Sequence, residues 1–223
     1  KAFKYFDNRI NPAALSELIN YQAISAPNTI FEDIYQLLPG HFLTINSPKK
    51  EFLQETKCWW DLTNEIKESM KSPIHSEEEA TLILENKLRE SIRMQSIADV
   101  PLGTFLSGGI DSSLITALLQ DQSSERIKTF TIGFEETEFD EAPFSKKIAN
   151  FLDTDHNEIY LTSKDTQNLI PTLNSIFSEP FADISQIPTY LVCREARNNG
   201  LKVTLSGDGG DELFGGYNRY FLG

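Results

Sequence analysis

From Ser76 onward the chain alternates two kinds of apolar pattern. Ser76-Glu77-Glu78-Glu79 reads as a capping box, and Ala80, Ile83, Leu84, Leu88 and Ile92 then recur at helical spacing on one face. A continuous apolar run from Val100 to Leu106 predicts a buried strand, followed by a helix after Asp111 with Leu114, Ile115, Leu118 and Leu119 inward. The alternation continues with a strand over Lys128–Phe134, a helix around Ala142–Leu152, a strand over His156–Tyr160 and a helix after Ser163. Ser185-Gln186-Ile187-Pro188 starts a further helix that Gly200 can terminate, ahead of a strand over Leu201–Leu205. Strands alternating with helices predict an α/β fold, a parallel sheet with helices on both faces. In such sheets ligands sit at the carboxyl ends of the strands.

The preceding residues lack this rhythm. Pro12–Tyr21 predicts a short helix with Pro12 in its first turn and Leu15, Leu18 and Ile19 inward. Leu37 to Ile45, containing Pro39-Gly40-His41, reads as a turn feeding a strand, and Phe52 to Trp60 as its partner. Trp59 and Trp60 are expected in a core, with Cys58 beside them as a buried small apolar residue rather than a nucleophile. Asn64 to Pro73 is polar and reads as a linker.

Composition narrows the class. The 223 residues are 39% hydrophobic and 24% charged, as in a globular protein with one sizeable core and a fragment of another. No apolar run reaches the length of a membrane span, and no signal-peptide pattern opens the chain. Two cysteines without a C-x-x-C spacing point to a reducing, cytoplasmic compartment. A net charge of -13 argues against nucleic acid as the main partner. It also means that an anionic nucleotide would need a divalent cation to accompany it. Lys1 and Gly223 do not look like natural termini, so the sequence reads as a piece of a larger protein.

Two glycine-rich segments carry the candidate chemistry. Ser107-Gly108-Gly109-Ile110-Asp111-Ser112-Ser113 stands where a strand should give way to a helix. Paired glycines let the backbone adopt conformations that side chains forbid and approach a ligand closely. The helix behind them points unpaired N–H groups and its positive dipole end into the same space. Ser107, Ser112 and Ser113 add hydroxyls, and Asp111 adds a carboxylate able to hold a cation. A Walker-A loop would need Lys followed by Ser or Thr, and a dinucleotide fingerprint a third glycine; neither is present. The second segment, Ser206-Gly207-Asp208-Gly209-Gly210-Asp211-Glu212, follows another strand. Its carboxylates repel one another unless one binds metal or carries a proton. With Asp111, Asp211 would make an oxygen donor pair suited to Mg²⁺.

Ser-Gly-Gly-x-Asp-Ser is the PP-loop pattern of the ATP pyrophosphatases, and this loop with Ser-Gly-Asp-Gly-Gly-Asp-Glu resembles the synthetase domain of glutamine-dependent asparagine synthetases. The resemblance divides the chain into the end of a glutaminase domain of the Ntn type (1–61, closed by Trp60-Asp61), a linker (62–75) and the N-terminal part of an ATP-binding domain (76–223). It implies an ATP-dependent amide ligase. ATP is held by its pyrophosphate portion at Ser107, Gly108, Gly109, Asp111, Ser112 and Ser113, with Ser206 and Gly207 alongside. Phe105, Leu106, Ile132 and Gly133 stand against the adenine, largely through backbone. Asp111 and Asp211 match the Mg²⁺ ligands. Asp208 matches a catalytic carboxylate, for which many members carry Glu. The implied partners are small molecules: ATP, a carboxylate (aspartate first) and glutamine-derived ammonia, with no nucleic acid or membrane; the resemblance allows a homodimer. The family's glutaminase nucleophile has no counterpart here, and its site Lys lies downstream of Gly223.

Other readings remain beside it. The acceptor could be a sugar uronate or an internal amine of the β-lactam-forming kind, or the chain could be a nucleotide-binding module without chemistry. Gly207 to Gly216 also resembles one calcium-binding nonapeptide repeat, but such rolls need consecutive copies. The acidic run Glu135, Glu136, Glu138, Asp140 and Glu141 has the look of a solvated face. Glu179 and Asp183 are further site candidates, by resemblance to a segment lining the synthetase cleft.

Overall fold

The computed structural model describes residues 6–45, 54–134, 140–180 and 182–220. In chain order the elements are α1 (Pro12–Tyr21), β1 (His41–Ile45), β2 (Gln54–Cys58), α2 (Leu62–Ser69), α3 (Glu77–Gln95), β3 (Leu102–Phe105), α4 (Ile110–Gln122) and β4 (Lys128–Phe134). They continue with α5 (Ala142–Leu152), β5 (Asp155–Leu161), α6 (Ser163–Leu169), α7 (Leu173–Ile176), α8 (Gln186–Asn198), β6 (Val203–Leu205) and α9 (Gly210–Phe214). The chain divides into two compact units, Lys1–Ile74 with Pro171–Ile184, and His75–Ile170 with Ser185–Gly223.

In the first unit, the Asn11 side chain caps α1 by accepting from the Ala13 and Ala14 N–H groups. The covered face of α1 runs through Ala14, which is fully buried, and Leu18; Leu15 and Ile19 are exposed, against expectation. The cause is tertiary. The Asn11 N–H donates to the Ile30 carbonyl at 2.9 Å, which brings buried Ile30 to the start of the helix. Strands β1 and β2 pair antiparallel with His41 opposite Cys58; Phe52 lies outside the described residues. Gly40 (φ +67°) shapes the turn: its carbonyl accepts from both Trp59 and Trp60, and a Cβ on it would overlap the Trp60 carbonyl.

The expected core at 58–60 does not form. Trp59 and Trp60 are 70% and 42% exposed, and Cys58 is exposed with its thiol on the Trp60 carbonyl at 3.3 Å. A two-stranded ribbon has no second sheet to cover its faces. Part of the expected linker is α2, capped by the Asp61 carboxylate on the Asn64 N–H at 2.9 Å.

The second unit contains the parallel sheet, in the order β5-β4-β3-β6. One face packs on α3 and α4 through Ile92, Leu118, Leu119 and Ile127; the other packs on α8 through Phe130, Val192, Ala196 and Leu201. Strand alternation explains the split, since Leu102 sends its side chain to the first cluster and Phe105 to the second. Thr104, on the Leu102 side, meets Thr116 of α4 hydroxyl to hydroxyl at 3.0 Å, both fully buried.

Two helical faces differ from the pattern. Ala80, Ile83 and Leu84 of α3 are exposed, and only its later turns (Leu88, Ile92) pack. The helix is held there by polar ties to the end of α4, Arg89 to Asp121 at 2.6 Å and the Gln122 amide to the Arg89 carbonyl at 3.2 Å. Leu114 of α4 is also exposed, while Ile115, Leu118 and Leu119 face the sheet. Helix α8 ends as expected at Gly200, whose φ is +88°.

From β3 the chain proceeds outward on one side through β4 and β5, and it returns through α8 to place β6 on the other side of β3. The strand order reverses at β3 and β6. That reversal is the topological switch point at which open α/β sheets hold their ligands.

Candidate functional site

Both glycine-rich segments leave the sheet at this switch point, one after β3 and the other after β6. In the first, Gly108 takes φ +84° while Gly109 (φ −72°, ψ 166°) caps α4 in ordinary extended geometry. Left-handed freedom is therefore needed at Gly108 alone. A Cβ there would stand 3.2 Å from the Phe144 Cβ and from the Ser145 N and Oγ of α5.

The three loop serines are tied locally. The Ser107 N–H donates to the Ser112 Oγ at 3.1 Å, the two hydroxyls lie 2.9 Å apart, and the Gly109 N–H donates to the Ser107 Oγ at 3.3 Å. Ser113 donates its hydroxyl to the Gly109 carbonyl at 2.6 Å. The donors left for an anion are the first-turn N–H groups of α4, which have no intrahelical acceptor.

In the second segment the Ser206 hydroxyl donates to the Asp208 carboxylate at 2.8 Å, and Tyr217 donates to Glu212 at 2.7 Å. Gly209 and Gly215 are left-handed, at φ +90° and +71°. The two segments touch. A Cβ on Gly207 would fall 2.8 Å from the Ser112 N and 2.9 Å from the Asp111 Cβ, and one on Gly210 would overlap the Asp111 carboxylate. The Asp111 carboxylate thus lies on the residue preceding Asp211, whose own carboxylate is turned against Gly216.

The side-chain carboxylates of Asp111 and Asp211 take part in no hydrogen bond or ion pair among the described residues, so their oxygens are available donors. No three His, Cys, Asp or Glu gather into a metal cluster among those residues. Two free carboxylates fit a hard cation whose remaining positions are filled by phosphate oxygens and water, rather than a cage built from protein alone.

The expected adenine wall lies at the end of β3 and along β4. Leu106 is buried; its N–H donates to the Phe130 carbonyl at 2.9 Å and its carbonyl accepts from the Thr131 hydroxyl. Phe105 and Ile132 pack toward α8. Gly133 faces Tyr160 across the β4–β5 pair, and a Cβ on it would come within 2.6 Å of that ring. Tyr160 is in turn held by Glu158 at 3.1 Å, and Glu158 by Lys146 at 2.7 Å. Of the acidic run, Glu135, Glu136 and Glu138 lie outside the described residues, while Asp140 accepts from the Phe134 and Ala142 N–H groups at 3.4 and 3.1 Å.

Glu179 and Asp183 belong to the first unit. The Glu179 carboxylate accepts from the Ile30 N–H at 2.8 Å and the Gln36 amide at 3.4 Å, which makes it a tie within that unit. That Tyr160 lies against Gly133, and Gly210 and Gly216 against Asp111 and Asp211, is not legible in the sequence. A lone glycine or tyrosine acquires such a role only from what the fold sets against it.

The arrangement defines an α/β protein with a parallel sheet whose two glycine-rich turns meet at the carboxyl edge. The chain belongs to the asparagine synthase family, whose profile matches residues 83–222. It is 34% identical over 217 residues to a putative asparagine synthetase (glutamine-hydrolyzing) of Methanocaldococcus jannaschii, covering 96% of this chain and 40% of that protein. To an asparagine synthetase (glutamine-hydrolyzing) of Bacillus subtilis it is 33% identical over 215 residues, covering 96% of this chain and 32% of that one. The chain therefore spans less than half the length of either relative. Among solved structures, an NH3-dependent NAD synthetase from Campylobacter jejuni overlays loosely, with a TM-score of 0.42, 14% identity, and 61% of this chain and 60% of that chain covered. No described helix is long and apolar enough to cross a membrane.

Proposed function

We propose that this chain supplies the nucleotide-binding part of an ATP-dependent amide ligase of the glutamine-hydrolysing asparagine synthetase type. The observation that carries the reading is the contact of Gly207 and Gly210 with Asp111, which joins the loop after β3 to the loop after β6 at the switch point. The first-turn N–H groups of α4 receive the β,γ-phosphates of ATP, backed by the helix dipole. Asp111 and Asp211 would hold Mg²⁺, which when bound would supply positive charge against the departing pyrophosphate. Without it, the uncompensated Asp111, Asp208 and Asp211 would repel the nucleotide.

The substrate carboxylate, taken as that of aspartate, attacks the α-phosphorus; the bond to the bridging oxygen breaks and pyrophosphate leaves. Ammonia then attacks the acyl carbon of the resulting mixed anhydride, and AMP departs with the bond electrons. Oriented N–H donors favour this path because negative charge grows on the leaving oxygen. Asp208, on the same loop and accepting a hydrogen bond from Ser206, takes the catalytic role near the acyl-adenylate that the family resemblance implies. Residues 1–61 then serve as the tail of the glutaminase part, 62–75 as the connection and 76–223 as the ATP-binding part, in a cytoplasmic enzyme.

ATP–pyrophosphate exchange, measured on the chain and on any longer protein containing it, tests the proposal. Exchange stimulated by aspartate supports it as stated. Exchange stimulated instead by a sugar uronate or a β-amino acid moves the acceptor to a related amidotransferase. Tight ATP binding with no exchange for any carboxylate leaves a nucleotide-binding module, and no ATP binding at all removes the reading.

A further inference from the structure

We infer that Gly210 and Gly216 are positioning residues, each serving as the seat on which one of the two metal-site carboxylates rests: Asp111 on Gly210 and Asp211 on Gly216. The inference rests on the proposed Mg-nucleotide site and names what sets its geometry.

Five glycines of the described chain take a left-handed φ, namely Gly40, Gly108, Gly200, Gly209 and Gly215; Gly210 and Gly216 are not among them. Neither position needs the left-handed backbone that favours glycine, so that freedom does not explain why neither carries a side chain. Contact does. A Cβ on Gly210 would overlap the Asp111 carboxylate, reaching both oxygens and Cγ. One on Gly216 would overlap the Asp211 carboxylate oxygen and stand 2.8 Å from its Cγ and 3.2 Å from its Cα. By contrast, a Cβ on Gly209 would meet nothing within 4 Å, and one on Gly215 only the Tyr220 ring at 4.0 Å. The loop thus uses two kinds of glycine. Gly209 and Gly215 bend it at both ends of α9, while Gly210 and Gly216 leave room for carboxylates.

The second seat is fixed by a short ring of backbone, since the Gly216 N–H donates to the Asp211 carbonyl at 3.0 Å. Asp211 stands in the first turn of α9 and Gly216 follows its end, so that one turn of chain folds back onto its own carboxylate. The first seat works between strands. Asp111 arrives from β3 and α4, Gly210 from β6, and the fit of one on the other registers the two loops. A hard cation tolerates little error in ligand position. Moving either carboxylate by the width of a methyl group would therefore weaken the site even though both charges remain.

Gly210→Ala and Gly216→Ala in the full chain test this, with Gly200→Ala as control. Gly200 is left-handed with open space around it, so its substitution strains the backbone without touching a carboxylate. The first measurement is a thermal double-mutant cycle without metal or nucleotide. Gly216→Ala should lower the unfolding midpoint by about 5 °C, and most of that loss should vanish in an Asp211→Ala background, where the clashing group is gone. Gly210→Ala should couple to Asp111→Ala in the same way. The second is calorimetric ATP binding across a Mg²⁺ titration, with Mn²⁺ paramagnetic resonance as a direct readout of metal. Gly216→Ala should raise the Mg²⁺ concentration for half-maximal binding by about tenfold or more, whereas Gly200→Ala should lower the midpoint and leave that concentration unchanged. Additive cycles, with no coupling to either aspartate, overturn the seats. Coupled cycles in a protein whose wild type shows no Mg²⁺-dependent ATP binding keep the seats and overturn the nucleotide reading instead. If Gly210→Ala does not fold, its recovery on adding Asp111→Ala supports the seat, and continued failure to fold overturns it at that position.

Discussion

Ser112 holds Ser107 by two atoms at once: its Oγ accepts the Ser107 N–H at 3.1 Å and lies 2.9 Å from the Ser107 hydroxyl. The phosphate-type loop is thereby braced by its own side chains, with Ser112 buried under it. Ser112→Ala should cost about 1–3 kcal/mol, because a partly buried N–H and a hydroxyl lose their partner together. Ser113→Ala removes only a hydroxyl bonded to a carbonyl of its own helix start and should cost about 0.5 kcal/mol or less. Urea unfolding of the two variants checks the order, and equal midpoints would contradict the bracing role.

The two loop glycines should separate fold from binding. Gly108→Ala forces a side chain into φ +84° and against Ser145, so it should destabilise by at least ~1–2 kcal/mol. A Cβ on Gly109 meets only the Ser107 Oγ at 3.3 Å, and the backbone there is ordinary, so the fold should survive Gly109→Val. Its bulk instead stands where an anion would approach the helix start, and ATP affinity should fall at least tenfold. Calorimetry with circular dichroism distinguishes these outcomes; a folded Gly109→Val that binds ATP like wild type removes the loop from the site.

Acid should weaken the protein in two stages, each with a named source. Burial lowers the pKa of His156, an effect only partly offset by Glu158, while its Nδ1 lies 2.8 Å from the Thr129 hydroxyl. The unfolded chain then binds the proton more readily, so stability is full above the ordinary histidine value of about 6.5 and declines as pH falls through the lower folded value. Glu158 is held below the usual carboxylate range, first by its hydrogen bond from Lys146. Its contribution persists above the ordinary glutamate value and is lost as pH falls through the folded one. His156→Asn should flatten the first stage and Lys146→Met the second, as read from unfolding midpoints across a pH series. Unchanged profiles would assign the acid sensitivity elsewhere.

Glu179 makes a contrasting case. Glu179→Ala leaves the Ile30 N–H, in a buried residue, without its acceptor, at a cost of about 1–3 kcal/mol to the first unit. Hydrogen exchange at the Ile30 amide should accelerate, while ATP affinity stays within a factor of about two. A large loss of ATP binding with Ile30 still protected would return Glu179 to the site.

Much of the second unit was legible in the sequence because its signals are local. The span of β4, Lys128–Phe134, and that of α5, Ala142–Leu152, follow from β-branched and helical-period runs bounded by turn residues. Ser107–Ser113 was placed at a strand–helix junction for the same reason: glycines and serines after an apolar run are a one-dimensional pattern. Exposure is less legible in the sequence. Leu15, Ile19, Leu114, Ile83 and the two tryptophans have the chemistry of core residues, but a face is buried only where another element covers it.

The sequence by itself determined the alternation of strands with the longer helices in the second unit, the parallel class of the sheet and the two glycine-rich segments that are candidates for an anion and a cation, since these depend on periodicity, backbone freedom and residue chemistry. Only the tertiary structure decided that β6 returns beside β3, that Gly108 rather than Gly109 bears the left-handed bend, and that Asp111 and Asp211 rest on Gly210 and Gly216. Those relationships join residues about a hundred positions apart or turn on which of several identical residues meets a neighbour. They are set by strand pairing and close packing, which no local pattern encodes.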